Sequence, residues 1–337
     1  KFVRGLTNAR MLGWWRLPER AEAHASQVPG GVRSARLEPM SRKGLLLFLI
    51  AGIAWGIPYF FIKVAVTDFS PEFIILARVV IGAAVLVPLA IRAKAFIPAL
   101  KAWKPVLAFA LFEMVGPWWL ITHAEDGHID SGLVGLLIAT VPFMALAVTY
   151  YYLGDRSVAH PKNILGLVIG FAGIIALVGI DVFTQNLELV WVGAVLLAAV
   201  GYAVAPAITT KNAPNVDTMG VIAVSMLFTA VIYVVPALMN PLAEGVTTPK
   251  FESWMSLLVL GVVSSAIAFV VFFALMREIA LSRASLITYV NTAVAFALGI
   301  AFAGEPITLG MLVGFPLVIV GSYFASRNHS RINEKQQ

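Results

Sequence analysis

The stretch SRASLITYVNTAVAFALGIAFAGEPITLGMLVGFPLVIVG, Ser282 to Gly321, decides how the rest of the chain is read. It is two apolar runs joined by a small-acidic turn at Ala303, Gly304, Glu305 and Pro306. Apolar runs of roughly 20 residues are long enough, at about 1.5 Å per residue, to cross a bilayer as helices. An earlier segment, Leu133 to Gly173, has the same plan: LLIATVPFMALAVTYYYLGD ends in Gly154 and Asp155, and LGLVIGFAG follows. Gly314 and Gly321 repeat the spacing of Gly166 and Gly173. Helix, turn and glycine-rich helix, met twice in one chain, point to an internal duplication of the kind pseudo-symmetric transporters carry.

Composition agrees. Of 337 residues, 60% are hydrophobic and 12% charged, with a mean hydropathy of +0.88. A chain this apolar belongs in a bilayer as a polytopic protein. The formal charge of +6 does not imply nucleic acid, because Lys and Arg lie in the N-terminal segment and in short loops between apolar runs, where they orient helices. With no cysteine, thiol chemistry and Cys-ligated metals are excluded.

Residues 1–39 are polar, Arg-rich and broken by Pro18, Pro29, Gly30 and Gly31. They read as an N-terminal extension that is either disordered or foreign to the natural chain, with Met40 followed by SRKGLLLFLIAG as a natural start. From Gly44 on, ten apolar segments are expected to span: 44–66, 72–91, 103–122, 131–151, 161–180, 188–209, 218–239, 254–276, 284–302 and 307–326. Residues 327–337 form a short cytoplasmic tail. With the N-terminus in the cytoplasm, the loop cations Arg42, Lys43, Arg92, Lys94, Lys101, Lys104, Arg156, Lys162, Lys211, Arg277, Arg283 and Arg327 all fall inside and only Lys250 outside, a strong orientation signal. That topology puts Asp155 inside and Glu305 outside. The expected fold is therefore all-α integral membrane, ten transmembrane helices as two inverted five-helix repeats, 44–180 and 188–326, with a substrate site near the midplane between them.

At this point the residues resemble the EamA family of the drug/metabolite transporter superfamily. The resemblance rests on AWGIPYFFIK from Ala54 to Lys63, on Arg78, on the LGD turn ending at Asp155, on SSAIAFVVFFALMREIALSRASLITYVN from Ser264 to Asn291, and on GEP at 304–306. It implies a secondary carrier, usually an exporter of amino acids, their derivatives or other small metabolites, working by alternating access. Two departures stand out. Thr292 occupies a position where the family often has proline, and Asp155 one where it often has glutamate; the first leaves helix nine without the local break that Pro142 supplies in helix four.

Glu113 falls in FALFEMVGPWW, about 15 Å from the inner end of helix three at 1.5 Å per residue. A carboxylate at that depth is expected to be protonated, paired or facing a wet cavity, which makes it a candidate for substrate binding or proton coupling. Arg78, about 9 Å below the outer surface by the same rise, is placed to bind a substrate carboxylate or to pair with Glu113 or an outer acid. Lys63 is read as snorkelling to headgroups. The remaining candidates are polar and aromatic: Trp55, Tyr59, Tyr202, Ser264, Ser265, Tyr289, Asn291 and Thr292. One carboxylate, one guanidinium and several aromatics suit a zwitterionic or modestly polar solute better than a polyanion. The loop HAEDGHID, His123 to Asp130, contains metal-ligating residue types but matches no zinc signature and is read as an acidic external loop.

The function expected is export of amino acids or similar metabolites across a bacterial inner membrane, with both termini cytoplasmic. The partners are a small-molecule substrate, the lipid bilayer and, on one reading, protons, but no nucleic acid; the assembly is a monomer or homodimer. No catalytic residue, metal or cofactor is called for, and no GxxxxGK[ST] loop is present to drive transport with ATP. The rivals are a flippase for a lipid-linked carrier and an intramembrane lipid-modifying enzyme.

Overall fold

The computed structural model describes residues 41–158, 161–185, 188–276, 278 and 287–326. Expectations placed on the 1–39 extension, the 327–337 tail, Arg277 and Arg283 lie outside the described residues. The helical runs are α1 (Arg42–Ala65), α2 (Pro71–Arg92), α3 (Trp103–Glu125), α4 (Ser131–Tyr151), α5 (Pro161–Gln185), α6 (Leu189–Asn212), α7 (Thr218–Met239), α8 (Phe251–Leu275), α9 (Ile287–Ala303) and α10 (Leu309–Ser326). Among the described residues, seven of these are long and apolar enough to cross a membrane: α1 to α4 and α6 to α8. In the others the apolar stretch found is shorter: Asn163–Ala176 in α5, Ile287–Ala303 in α9 and Leu309–Gly321 in α10.

Local chemistry sets the ends. Ser70 Oγ accepts from the Phe73 N–H, with Pro71 at the first helical position of α2, and Asp217 accepts from the Met219 N–H to start α7. Pro58 interrupts α1 at Ile57, and Pro142 divides α4 after Ile138, whereas α9 runs unbroken through Thr292. The Thr292 hydroxyl instead bonds the Thr288 carbonyl one turn back (2.8 Å) and the Gly135 carbonyl of α4 (3.1 Å).

Packing follows a rule that exchanges the two halves. α1 packs on α9 as α6 packs on α4, α2 packs on α8 as α7 packs on α3, and the equivalent helices meet as pairs, α2 with α7 and α5 with α10. Both pairs run antiparallel. The N-terminal Gly220 of α7 lies against Ala95, just past the C-terminus of α2, while Gly82 meets Met226 midway. In α5 and α10, Gly173 lies against Gly314 and Val318, and Gly321 against Gly166 and Gly170. A side chain at Gly321 would run into the backbone of Gly166 and Gly170, so the glycines singled out by spacing are where two helix backbones touch.

The two duplicated turns share a conformation. Gly154 (φ 74°) and Gly304 (φ 65°) both occupy the left-handed region that glycine tolerates. The residue after each donates its N–H to an equivalent carbonyl, Asp155 to Thr149 (3.2 Å) and Glu305 to Gly299 (3.0 Å). The third helix of each half carries a π-helical segment near its middle, Leu111–Val115 in α3 and Leu260–Ile267 in α8. These wide turns re-aim the side chains they carry.

Candidate functional site

Arg78 projects from the middle of α2 and is only 6% exposed. Its guanidinium lies over the Trp118 ring of α3, 3.6 Å from the centroid, and its Nε donates to Ser265 Oγ in the π segment of α8 (3.3 Å). No carboxylate lies within ion-pair distance of it among the described residues. Tyr59, Tyr202 and Glu125 are within electrostatic reach. A cation stacked on an aromatic face gains about 0.5–2 kcal/mol, far less than a dry guanidinium forgoes without an anion. The arrangement is therefore open to an anionic group.

Of the partners open to Arg78, Glu113 is not one among the described residues. Glu113 stands in the π segment of α3, half-buried, with no hydrogen-bond or ion-pair partner among the described residues; it lies in electrostatic range of Tyr202. Of the other expected residues, Tyr59, Tyr202 and Ser265 converge on Arg78, and Ser264 lies beside Ser265, buried with its hydroxyl unpartnered. Trp55 packs on Phe269 and Phe272 of α8, ring centroids 5.5 and 4.9 Å away. Tyr289, Asn291 and Thr292 sit on α9, which packs against α1 and α4; the Asn291 carbonyl lies against Gly56.

Lys63 differs from its expected role. Instead of reaching for headgroups it donates to Asp130 Oδ1 (2.8 Å) and Glu305 Oε1 (2.7 Å). Glu305 also accepts from the Ser131 N–H (2.8 Å), the Ser131 hydroxyl (2.7 Å) and the Gly132 N–H (2.8 Å), capping α4 from the turn between α9 and α10. Burial pushes the Glu305 carboxyl up, but the bonds from Lys63, Ser131 and Gly132 outweigh it and hold it below the usual carboxylate value. Asp68, in the connection after α1, is likewise lowered, by the Ser253 hydroxyl (2.6 Å) and the Lys250 N–H (2.8 Å). A carboxylate and a lysine are thus consumed in fastening this end of the bundle.

Above this clasp lies a cavity of about 640 Å³ whose walls include Lys63, Glu125, Asp130, Glu188, Thr308 and Met311. At the other end of α3 the recess near Phe109, Thr209 and Val221 holds only about 130 Å³. The larger cavity lies at the acidic end, and the smaller recess toward the end where Arg92, Lys94, Lys101, Lys104 and Lys211 gather.

Glu125 lies in the wall of the larger cavity, although its sequence context reads as an external loop. It ends α3, is 2% exposed, and neither carboxylate oxygen has a hydrogen-bond partner among the described residues. A signal for it exists in the spacing: Trp118, Ile121, Thr122 and Glu125 share one helical face, and all are buried. The rest of HAEDGHID diverges, with His123 toward Glu72 (3.5 Å), His128 toward Glu188 (3.2 Å) and Asp130 toward Lys63.

The family model of the EamA-like transporter family matches residues 42–179 and again 189–327. The chain belongs to that family. An EamA domain matched twice accounts for the contact scheme that exchanges the two halves. The uncharacterized inner membrane transporter YedA of Escherichia coli (strain K12) is 25% identical over 281 residues, 80% of this chain and 89% of its own. A probable amino-acid metabolite efflux pump of Salmonella typhimurium (strain LT2) is 22% identical over 291 residues, 84% of this chain and 95% of its own. A solved crystal structure, 17% identical, superposes with a TM-score of 0.61 over 86% of this chain and 99% of that one, a likeness of fold. This EamA protein is a multi-pass membrane transporter.

Proposed function

We propose that this EamA protein exports amino acids or similar small metabolites by alternating access between two inverted five-helix repeats, 44–180 and 188–326, that cross the membrane ten times. The observation that carries this reading is the buried Arg78, stacked on Trp118, bonded to Ser265 and lacking an ion-pair partner among the described residues. Its planar fork suits a carboxylate, which it can hold bidentately. Antiparallel packing of α2 with α7 and of α5 with α10 supports the inverted arrangement. The loop cations support cytoplasmic termini in a bacterial inner membrane, so that the acidic cavity faces outward. Efflux named for a relative that is 22% identical agrees with the direction.

Glu113 is the proton-exchanging group in this scheme; its place in the π segment of α3, in electrostatic range of Tyr202 and without a hydrogen-bond or ion-pair partner among the described residues, supports that role. Proteoliposomes containing the purified chain and loaded with labelled amino acids test both parts. Amino-acid flux that Arg78→Gln abolishes is expected, and Glu113→Gln is expected to keep flux but lose its dependence on a pH gradient. Flux unaffected by Arg78→Gln, or none for any amino acid or derivative, overturns the reading; pH coupling intact in Glu113→Gln removes Glu113 from it.

A further inference from the structure

Glu125 is a carboxylate placed where a membrane protein can least neglect one. It is 2% exposed, and among the described residues both oxygens lack a hydrogen-bond partner. Thr122, one turn earlier on the same face of α3, is fully buried with its hydroxyl also unpartnered. Buried polar groups are normally satisfied, and each exception needs an occupant or a reason. The groups that act on Glu125 come from both sides of it. Lys63 and Glu305 belong to the clasp beside the cavity, and Arg78 to the central cluster; Tyr59 feels both Glu125 and Arg78. Lys63 is already neutralised by Asp130 and Glu305, so it does not compensate a further acid.

The Glu125 carboxyl and the Arg78 guanidinium therefore stand within electrostatic reach of each other without an ion pair between them among the described residues. Arg78 is held on Trp118 and Ser265, and Glu125 is fixed at the end of α3. Packing keeps the carboxyl and the guanidinium apart, and together they are complementary to a molecule that bears both an amine and a carboxylate. Access is suitable as well: Glu125 lies in the wall of the 640 Å³ cavity, whose lining sets Lys63 against Glu125, Asp126, Asp130 and Glu188. Such a wall concentrates cations and discourages free anions.

We propose that Glu125 is the ammonium-binding residue of this transporter, so that a substrate carrying both a protonated amine and a carboxylate is held between Glu125 and Arg78. The Thr122 hydroxyl accepts a second amine proton. Glu125 then explains why a site with a cationic centre has an acidic mouth: the ammonium leads the molecule in and the carboxylate reaches the guanidinium.

This inference rests on the reading of the chain as an amino-acid exporter, and its test separates the two. Thermal shift and binding titration of the detergent-purified full chain are made with the standard amino acids. Each that binds is compared with its deaminated acid and its decarboxylated amine; for leucine these are 4-methylpentanoate and 3-methylbutylamine. The wild type is expected to prefer the amino acid over the deaminated acid by at least tenfold. Glu125→Gln should erase that preference while keeping affinity for the deaminated acid, and Glu125→Asp, which retains the charge, should restore it. Arg78→Gln should do the reverse, sparing the decarboxylated amine. If no amino acid binds the wild type, the parent reading fails and this one with it. If amino acids bind but the wild type does not discriminate against the deaminated acid, or Glu125→Gln keeps the preference, the assignment of Glu125 alone is overturned.

Discussion

Arg78 and Lys63 are both cations inside the helical bundle, and the sequence offers little to tell them apart. Lys63 is satisfied twice over, by Asp130 and Glu305, and its side chain borders the open cavity. Arg78 is more deeply buried yet has an aromatic face and one hydroxyl in place of a carboxylate. The first arrangement fastens the α9–α10 turn onto the start of α4 and is complete. The second is incomplete, and incompleteness at depth is what a binding site requires, because a fully paired charge has nothing left to offer a ligand.

The contrast is sharpest under substitution. Arg78→Lys keeps the charge but loses the fork and the stacked plane, and transport is expected to fall about 100-fold, as loss of one charge-assisted bidentate contact implies; flux in proteoliposomes with unchanged thermal stability would show it. Glu305→Ala should act oppositely, costing about 3 kcal/mol of stability by stripping a buried carboxylate from Lys63 and from the α4 N-terminus, read as a lowered unfolding temperature. An Arg78 variant that unfolds, or a Glu305 variant as stable as the wild type, would erase the distinction. Gly321→Val, remote from both cations, is expected to cost about 1–3 kcal/mol by separating α10 from α5, with substrate affinity unaltered.

The smallest effect concerns acid. Glu305 and Asp68 are both held below the usual carboxylate value in the folded chain. Their contribution is thus fully present above the unfolded value, near 4.5 for Glu305 and 3.8 for Asp68, and is lost as pH falls through the lower folded values. Unfolding temperature should be flat toward neutrality and decline below about pH 4.5, and Glu305→Gln should remove part of that decline.

How far the residues themselves reveal this depends on the range of the interaction. Duplication is legible because it repeats short local patterns: the Gly154 and Gly304 turns adopt the same left-handed conformation and the same closing hydrogen bond. Gly166, Gly173, Gly314 and Gly321 are legible because close helix approach admits little but glycine. Depth along its helix leaves Arg78 between a structural and a binding role, and the family resemblance inclines it toward the site. Depth also allows Glu113 as its partner, but no ion pair joins them among the described residues, and Glu113 stands in a π segment of α3 that no spacing announces. Glu125 escapes notice because HAEDGHID looks like a loop when α3 is ended at Thr122; the helix continues to Glu125 and buries it.

Hydropathy, charge placement and the double motif were enough, from the chain alone, to establish a membrane transporter built on a repeated unit, because the bilayer punishes exposed polar backbone wherever it occurs along the sequence. Which charges are spent on holding the bundle together and which are left free was decided only in three dimensions. Lys63 meets Glu305 across 242 positions of sequence, and Arg78 meets Ser265 across 187. Pairing over such separations depends on how the helices pack and turn about their axes, and that information belongs to the assembled bundle.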